Sequence, residues 1–345
     1  MFKNIIKTTA FAATLFMMAC GGNSTQEQEQ VVNLYSHRHY EADQKLFEEF
    51  TKETGIKVNV VNASADELIQ KLELEGENSP ADVLFTVDAG RLHRAEVKGL
   101  LQPITSDVLN ENIPANLRHP EGLWFGLTYR ARVIAYSKER VDPADLSTYE
   151  DLANERWKGK VLVRSSENVY NQSLLASIIA ADGAEAATAW AEGMVANMAR
   201  APKGGDRDQV KAVAGGEGDI AITNTYYVGI MLNDSNEEER KAAEAVGIFF
   251  PNQNDRGTHI NISGVGVAKY APNKENAIKL IEFLSQEKAQ KVLAEENYEY
   301  PVNAKVSISE TIAAWGDFKK DSINLAKLGE LNSEAVVTFD KAGWK

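Results

Sequence analysis

The fold is decided by residues 31–85, VVNLYSHRHYEADQKLFEEFTKETGIKVNVVNASADELIQKLELEGENSPADVLF. Strand patterns occur in it at 31–35, 56–61 and 81–85. Helical spacing separates these strands; Gly55 is a natural stop for the first helix, and Ser64 with Glu67 forms a capping-box start for the second. This βαβαβ order predicts an α/β fold with a mostly parallel sheet and helices on both faces.

A second α/β region follows, and extended segments separate it from the first. The segments at 123–127 and 131–136 are apolar and suited to connecting two lobes. Further strands are predicted at 159–163, 219–223 and 264–268. Further helices are predicted at 93–100, 171–181, 184–198, 273–283 and 286–294. Two α/β lobes joined by extended strands suggest a hinge protein that closes on a ligand.

The N-terminus carries a predicted export signal at residues 1–20. Lys3 and Lys7 precede twelve residues without charge, a stretch shorter than the roughly twenty that a membrane-spanning helix needs. The end of this segment, Met-Met-Ala-Cys20, resembles a bacterial lipoprotein signal in which Cys20 becomes lipidated. Residues 21–30 are polar and predict a flexible tether. An ordinary secretory signal with an incidental Cys is the alternative, and both place the protein in the periplasm or at the cell surface.

Composition excludes several classes of function. The chain has 345 residues and a formal net charge of −13, so a nucleic-acid partner is disfavoured. With one Cys, the chain forms no internal disulfide and no Cys-based zinc or iron–sulfur site. Its length suits two lobes of ordinary domain size better than one small core.

Tyrosines follow three of the predicted strands. In open parallel sheets, ligands bind beyond the carboxyl ends of the strands, so these positions are candidates for a site. Tyr40 follows the first strand and is preceded by His39; Tyr170 and the pair Tyr226-Tyr227 follow two strands of the second region. Since the chain has only eleven Tyr, this placement is informative.

A group of tyrosines with one histidine suggests Fe³⁺. Phenolate oxygen is a hard anionic donor, and a free phenol has a pKa near ~10, so only a strongly charged cation holds several of them deprotonated at neutral pH. Four phenolates around Fe³⁺ leave a net charge of −1. A neighbouring arginine would offset it, and Arg38, Arg130 and Arg132 are candidates.

Each of these motifs also has an ordinary interpretation. Neighbouring residues of a strand face opposite ways, so a Tyr-Tyr pair usually places one ring in a core and one at a surface. His37 and His39 could form a zinc pair, but no Cys lies nearby and no third His is in reach by sequence. The His and Tyr motifs, taken together in their order along the chain, are therefore more informative than any one of them.

At these residues the sequence resembles the periplasmic ferric-ion-binding proteins of bacterial ABC iron transporters, in the branch whose site has one His and four Tyr. The matching segments are NLYSHRHY (33–40), GLTYRAR (126–132), VYNQSLL (169–175) and GDIAITNTYY (218–227). The resemblance runs from about residue 31 to the C-terminus.

The resemblance implies a ligand set and its surroundings. The implied ligands are His39, Tyr40, Tyr170, Tyr226 and Tyr227. Arg130 would lie behind them and offset the phenolate charge, with Arg132 and Arg38 as alternatives. His37 departs from the small residue expected there and is treated as peripheral. Five protein ligands leave a sixth position of Fe³⁺ for water or a small anion.

The resemblance also implies an architecture and a partner. The expected fold is the two-lobed periplasmic binding protein fold of type 2 solute-binding proteins, with two mixed sheets joined by hinge strands. The N-terminal lobe would comprise 31–128 and 255–305, and the C-terminal lobe 129–254 and 306–345. We expect a monomer that captures Fe³⁺ between the lobes and delivers it to an ABC transporter permease.

Two other functions compete with iron capture. A receptor of the same fold could bind a small oxyanion or a polyamine, with the Tyr rings stacking or donating hydrogen bonds. An exported metal-dependent enzyme is the further alternative, but the chain has no Gly-x-Ser-x-Gly and no His-Glu-x-x-His motif. We therefore expect a binding protein and not an enzyme.

Overall fold

The computed structural model describes residues 30–345. The predicted export signal, the lipidation at Cys20 and all but the last residue of the predicted tether lie outside this range. Inside it, no helix has both the length and the apolar character needed to cross a membrane.

The described chain alternates strands and helices. The strands are β1 (Val31–Ser36), β2 (Lys57–Asn62), β3 (Val83–Val87), β4 (Leu101–Gln102), β5 (Phe125–Ser137), β6 (Val161–Leu162), β7 (Ile220–Asn224), β8 (Val246–Phe249), β9 (Ile260–Ala268) and β10 (Tyr300–Pro301). The helices are α1 (Glu41–Thr54), α2 (Ala65–Glu75), α3 (Ala89–Val97), α4 (Asp107–Asn112), α5 (Val169–Asn197), α6 (Asp206–Ala214), α7 (Thr225–Leu232), α8 (Glu237–Glu244), α9 (Lys274–Ser285), α10 (Glu287–Asn297), α11 (Glu310–Ala313), α12 (Ala326–Glu330) and α13 (Asn332–Ala342).

The first sheet is mixed. Its strands β2, β1 and β3 are parallel, as the βαβαβ pattern predicts. Strand β9 then pairs antiparallel with β3, and β5 pairs antiparallel with β9. The two predicted helix boundaries are confirmed: Gly55 caps α1 in the left-handed conformation with φ 73°, and Ser64 and Glu67 form a reciprocal capping box at the start of α2.

Strand β5 joins the first sheet to the second. Its residues 125–131 pair with β9, and residues 132–137 pair with β7 and β8 of the second sheet. The prediction of two separate extended segments is wrong here, because one thirteen-residue strand runs through both. Its register is irregular between Gly126 and Thr128. The expected two-lobed fold with two mixed sheets is confirmed; where hinge strands were expected between the sheets, one strand, β5, pairs in both.

Two later segments of the chain pack against β5 through aromatic rings. Phe250 follows β8 and stacks on Phe318 with ring centroids 4.3 Å apart and planes 6° apart. Tyr300 of β10 contacts Phe318 edge-on at 5.4 Å and stacks on Tyr129 of β5 at 4.9 Å. One row of four rings therefore links β5 to the segment that follows β8 and to the segment that follows β10.

Helix α5 carries part of the candidate site and agrees with its prediction. Two helices were expected, at 171–181 and 184–198. The span Val169–Asn197 is divided into two helical parts at Gly183, whose φ of 85° and ψ of 166° are not helical. The predicted strand 159–163 is shorter than expected, since only Val161–Leu162 pair with β7.

Candidate metal centre

The exit of β1 places His39 and Tyr40 at the carboxyl end of the first sheet. Ser36 ends the strand, and its hydroxyl accepts a hydrogen bond from the backbone N–H of Arg38 at 3.0 Å, which turns the chain. Tyr40 caps α1 in an extended conformation. The exposed ring of His39 stacks on the ring of Tyr40 with centroids 5.5 Å apart and planes 19° apart.

The other three tyrosines lie in the first turns of two helices. Asn168 caps α5 by accepting a hydrogen bond from the backbone N–H of Tyr170 at 3.1 Å. Tyr226 and Tyr227 follow β7 directly, at the second and third positions of α7. In a helix, adjacent side chains do not face opposite ways as they do in a strand, so both rings can turn toward one centre. Their centroids lie 4.1 Å apart.

The four phenols from the three strand exits converge. The hydroxyl oxygens of Tyr170 and Tyr226 lie 3.4 Å apart. Tyr40 is close enough to Tyr170 for their charges to interact, and the same holds for Tyr227 and Tyr170. His39 joins the group through its ring contact with Tyr40. The structure therefore brings the four candidate tyrosines together and places His39 against the ring of Tyr40.

Burial keeps the phenols of Tyr40, Tyr226 and Tyr227 protonated when no cation is present. It raises the pKa of Tyr40, and more strongly those of Tyr226 and Tyr227, because a phenolate loses its hydration there. The neighbouring Tyr170 raises all three pKa values further, since two adjacent phenolates would repel each other. A ligand that holds several phenolates here must therefore be strongly cationic.

Arg130 lies directly behind the phenols. Its guanidinium carbon is 5.7 Å from the ring centroid of Tyr226 and 5.8 Å from that of Tyr170. The side chain is fully buried; Nη2 donates to Ser263 Oγ at 3.1 Å and lies 3.7 Å from a carboxylate oxygen of Glu299. Its Nε and Nη1 have no hydrogen-bond partner within residues 30–345. Donors and positive charge therefore remain available next to the site.

The other two arginines named from the sequence are more fully paired. Arg38 lies 4.9 Å from the Tyr40 ring and makes a bidentate ion pair with Asp43 at 2.9 Å. It also lies 2.9 Å from Glu299. Burial raises the pKa of the Glu299 carboxyl, but the charges of Arg38 and Arg130 outweigh this effect and hold the pKa below its ordinary value.

Arg132 belongs to a second buried network. Its Nη1 lies 2.8 Å from Asp206, and its Nη2 donates to Asn171 Oδ1 at 2.7 Å. Arg164 binds the other oxygen of Asp206 at 2.8 Å, and both guanidinium carbons lie 5.8 Å from the Tyr170 ring. This network fixes the loop and first turn that present Tyr170.

Sequence reasoning missed Glu299, Asp206, Arg164 and Asp43 as parts of the site. Glu299 meets Arg38 across 261 sequence positions, and Asp206 meets Arg132 across 74. The sequence offered one pointer to these residues: Arg164 directly follows a predicted strand, as the candidate ligands do. Long-range ion pairs otherwise leave no local pattern.

The zinc-pair interpretation of His37 and His39 gains no support. Burial and the nearby charge of Arg91 lower the pKa of His37 to about 4. Within residues 30–345, no group of three or more His, Cys, Asp or Glu side chains is placed to hold a metal ion. A metal bound at the strand exits would therefore rely on the tyrosines, with His39 beside them.

The chain matches known proteins over most of its length. The family model described as bacterial extracellular solute-binding protein matches residues 45–320. Iron uptake protein A1 of Synechocystis sp. is 51% identical over 343 residues, which are 98% of this chain and 95% of that protein. The major ferric iron-binding protein of Neisseria meningitidis is 26% identical over 91% of this chain and 93% of its own.

Solved structures agree with this relationship. A Trichodesmium protein in complex with iron and citrate ligands superposes with a TM-score of 0.90 at 55% identity, covering 91% of this chain and 100% of that one. A ferric binding protein from Campylobacter jejuni superposes with a TM-score of 0.87 at 46% identity over 91% and 100%. The chain therefore belongs to the family of bacterial extracellular solute-binding proteins.

Proposed function

We propose that this protein captures Fe³⁺ between two lobes and delivers it to the permease of an ABC importer. The observation that carries the proposal is the convergence of four phenols, two of them with hydroxyl oxygens 3.4 Å apart, from both sheets of the molecule. Relatives at 51% and 47% identity are iron uptake proteins, and a neighbour at 55% identity was solved with iron and citrate, which supports the same cargo.

The ligand set of the proposal is the one that the sequence suggested. His39 and Tyr40 bind from one side, and Tyr170, Tyr226 and Tyr227 bind from the other. Water or a small anion completes the six positions that Fe³⁺ prefers, and Arg130, whose Nε and Nη1 have no partner within residues 30–345, would interact with it. The positive charge of Arg130 offsets the excess negative charge of four phenolates around a trivalent ion.

Capture and closure are one event in this proposal. We assign 31–128 and 255–305 to the N-terminal lobe, and 129–254 and 306–345 to the C-terminal lobe. Tyr40 then belongs to the first lobe and the other three tyrosines to the second. The ion gains its full set of donors only when the lobes meet, so iron stabilises the closed form that a permease can recognise.

The relatives are solute-binding transport proteins, so no catalytic step is assigned to the site. We propose a periplasmic or cell-surface monomer that a lipid on Cys20 anchors to the membrane. The anchor would keep the receptor within reach of its permease.

A visible-light titration tests the iron proposal. Iron(III)–phenolate bonds absorb visible light, so adding ferric citrate to the apoprotein should give a coloured complex at about one iron per chain. The Tyr270→Phe protein, altered at an exposed tyrosine that is 46% accessible, should behave as the wild type. A colourless protein that keeps no iron against citrate would contradict the proposal.

Thermal-shift measurements separate iron from the alternative ligands. Stabilisation by Fe³⁺ and not by sulfate, phosphate or putrescine supports iron capture, because only a ligand that binds the folded state raises its stability. The free Nε and Nη1 of Arg130 are the feature that would favour an oxyanion. Stabilisation by sulfate or phosphate alone would therefore replace iron by an oxyanion as the cargo.

A further inference from the structure

Asp88 has a strained backbone at the edge of the candidate site. It follows β3 directly and adopts φ 79° and ψ 128°, a region that residues with a side chain rarely occupy. Such a conformation costs roughly 1–3 kcal/mol and persists only where the surrounding contacts hold it. Asp88 is also fully buried, and no ion pair within residues 30–345 neutralises its carboxylate at 4 Å or less.

Three hydrogen bonds hold the Asp88 carboxylate. Its Oδ1 accepts from the backbone N–H of Gly90 at 2.8 Å and from Ser173 Oγ at 2.6 Å, and its Oδ2 accepts from Asn261 Nδ2 at 2.8 Å. Gly90 belongs to α3, Asn261 to β9 and Ser173 to α5. Asp88 therefore ties the first sheet to a helix that follows a strand of the second sheet.

The bond to Ser173 acts on the helical turn that carries Tyr170. Residues three apart in a helix lie on the same face, so Ser173 stands directly beside Tyr170 along α5. Asp88, Arg130 and Tyr170 line one small enclosed cavity. Rotation of the first turn of α5 would move Ser173 away from Asp88 and the Tyr170 hydroxyl away from Tyr226.

We propose that Asp88 is a positioning residue for iron binding, which, through its hydrogen bond to Ser173, holds the first turn of α5 so that Tyr170 faces the metal site. The proposal rests on the proposed function and adds a residue that binds no iron itself. It gives the strain at Asp88 a use, since in this backbone conformation the carboxylate accepts from three donors on three elements.

The hydrogen-bond pattern requires a carboxylate at this position. In Asp88→Asn, the amide nitrogen would face either Asn261 Nδ2 or the donors of Gly90 and Ser173. Asn261 cannot turn its amide over, because its Oδ1 already accepts from the backbone N–H groups of Ala89 at 2.9 Å and Ile262 at 2.8 Å. An asparagine at position 88 therefore leaves donors facing each other.

Ser173→Ala tests the proposal with a matched control. It removes one hydroxyl and leaves Asp88 its other two hydrogen bonds. The control is Ser177→Ala, one turn further along the same helix, where the equally buried hydroxyl donates only to the carbonyl of Leu174 at 2.7 Å. Loss of a bond to the charged Asp88 carboxylate should cost more stability than loss of a bond to a neutral carbonyl, so iron binding is compared at a temperature at which both variants are fully folded.

The readouts are the iron dissociation constant from competition with citrate and the position of the visible band. We expect Ser173→Ala to weaken iron binding about tenfold, as the loss of one hydrogen bond to a charged group implies, and to shift the band because Tyr170 binds differently. Ser177→Ala should match the wild type in both. Asp88→Asn should weaken binding at least as much as Ser173→Ala.

Equal iron affinity and an unchanged band in Ser173→Ala and Ser177→Ala would overturn the positioning role. This outcome differs from failure of the iron proposal, in which the wild-type protein itself forms no coloured complex. If Asp88→Asn does not fold, the comparison of Ser173→Ala with Ser177→Ala tests the proposal without it.

Discussion

The hydroxyl oxygens of Tyr170 and Tyr226 lie 3.4 Å apart, although 56 positions separate the two residues in the chain. Two oxygens that each lie about 2 Å from one ion can be at most about 4 Å apart, so this pair can share a metal. Both side chains are buried, and burial raises the pKa of Tyr226 well above its ordinary value. Iron must therefore displace the proton of Tyr226.

Tyr226→Phe should weaken iron binding strongly. The substitution keeps the ring and its packing against Tyr227 but removes a charged ligand, so we expect a loss of at least about tenfold in affinity, equivalent to 1.4 kcal/mol. The visible band should fade or shift, since one iron–phenolate bond is lost. Titration of the purified variant with ferric citrate measures both effects. Unchanged affinity and colour would remove Tyr226 from the ligand set.

Glu299→Gln should destabilise the folded protein. The carboxylate is 2% accessible and lies 2.9 Å from Arg38 and 3.7 Å from Arg130. Removing its charge leaves buried positive charge without compensation, and breaking such a pair typically costs about 3–5 kcal/mol. Because Arg38 keeps its ion pair with Asp43, we expect the loss of unfolding free energy to lie near the lower end of this range. Urea denaturation gives the free energy of unfolding.

The control for this substitution is Glu296→Gln, three residues earlier in the chain, at the surface of α10. Glu296 pairs with Lys45 at 2.9 Å, and both side chains are more than a third accessible. An exposed pair contributes little, so the free energy of unfolding should change by no more than about 0.5 kcal/mol. Equal losses in the two variants would argue against a special role for the buried network.

The candidate ligands could be predicted from the sequence because their positions follow local rules. Each lies just beyond a strand whose apolar pattern is visible, and the carboxyl ends of such strands meet at one edge of a sheet. The start of α2 was equally predictable, since Ser64 and Glu67 satisfy each other's backbone donors within four residues. The resemblance then assigned His39, Tyr40 and the other tyrosines a common ligand.

The remainder of the site depends on contacts between distant parts of the chain. Glu299, Asp206 and Asp88 are single acidic residues in unremarkable surroundings, and each has one partner that lies 74 or more positions away. The sequence also does not show that β5 is one continuous strand. Nearly all its residues are buried, so its sequence lacks the alternation that would show where it leaves one sheet and enters the other.

Acid should destabilise the protein partly through His259. Burial, followed by the charges of Arg132, Arg256 and Arg130, lowers the pKa of His259 to about 3. The unfolded chain takes up this proton near pH ~6.5, whereas the folded protein does not until about 3, so unfolding binds a proton in between. Stability is therefore complete above pH ~6.5 and falls by about 1.4 kcal/mol per pH unit below it through this residue.

His259→Gln should reduce that dependence. Glutamine takes up no proton, so the slope of unfolding free energy against pH between 6.5 and 4 should be shallower by about 1.4 kcal/mol per pH unit than in the wild type. Chemical denaturation at several pH values measures the slope independently of any constant loss of stability. Parallel slopes in the two proteins would show that His259 is not buried neutral.

The near-parallel stack of Phe250 on Phe318 should couple the segment that joins β8 to β9 with the segment that follows β10. Aromatic pairs of this kind contribute about 0.5–1.5 kcal/mol beyond the area they bury. A double-mutant cycle of Phe250→Leu and Phe318→Leu, measured by urea denaturation, should therefore give a coupling energy of about 1 kcal/mol. Phe250→Leu combined with Phe50→Leu is the control, since Phe50 packs instead against Phe283, and these effects should add within about 0.5 kcal/mol. Additive effects of Phe250→Leu and Phe318→Leu would mean that the ring stack does not hold the two connections together.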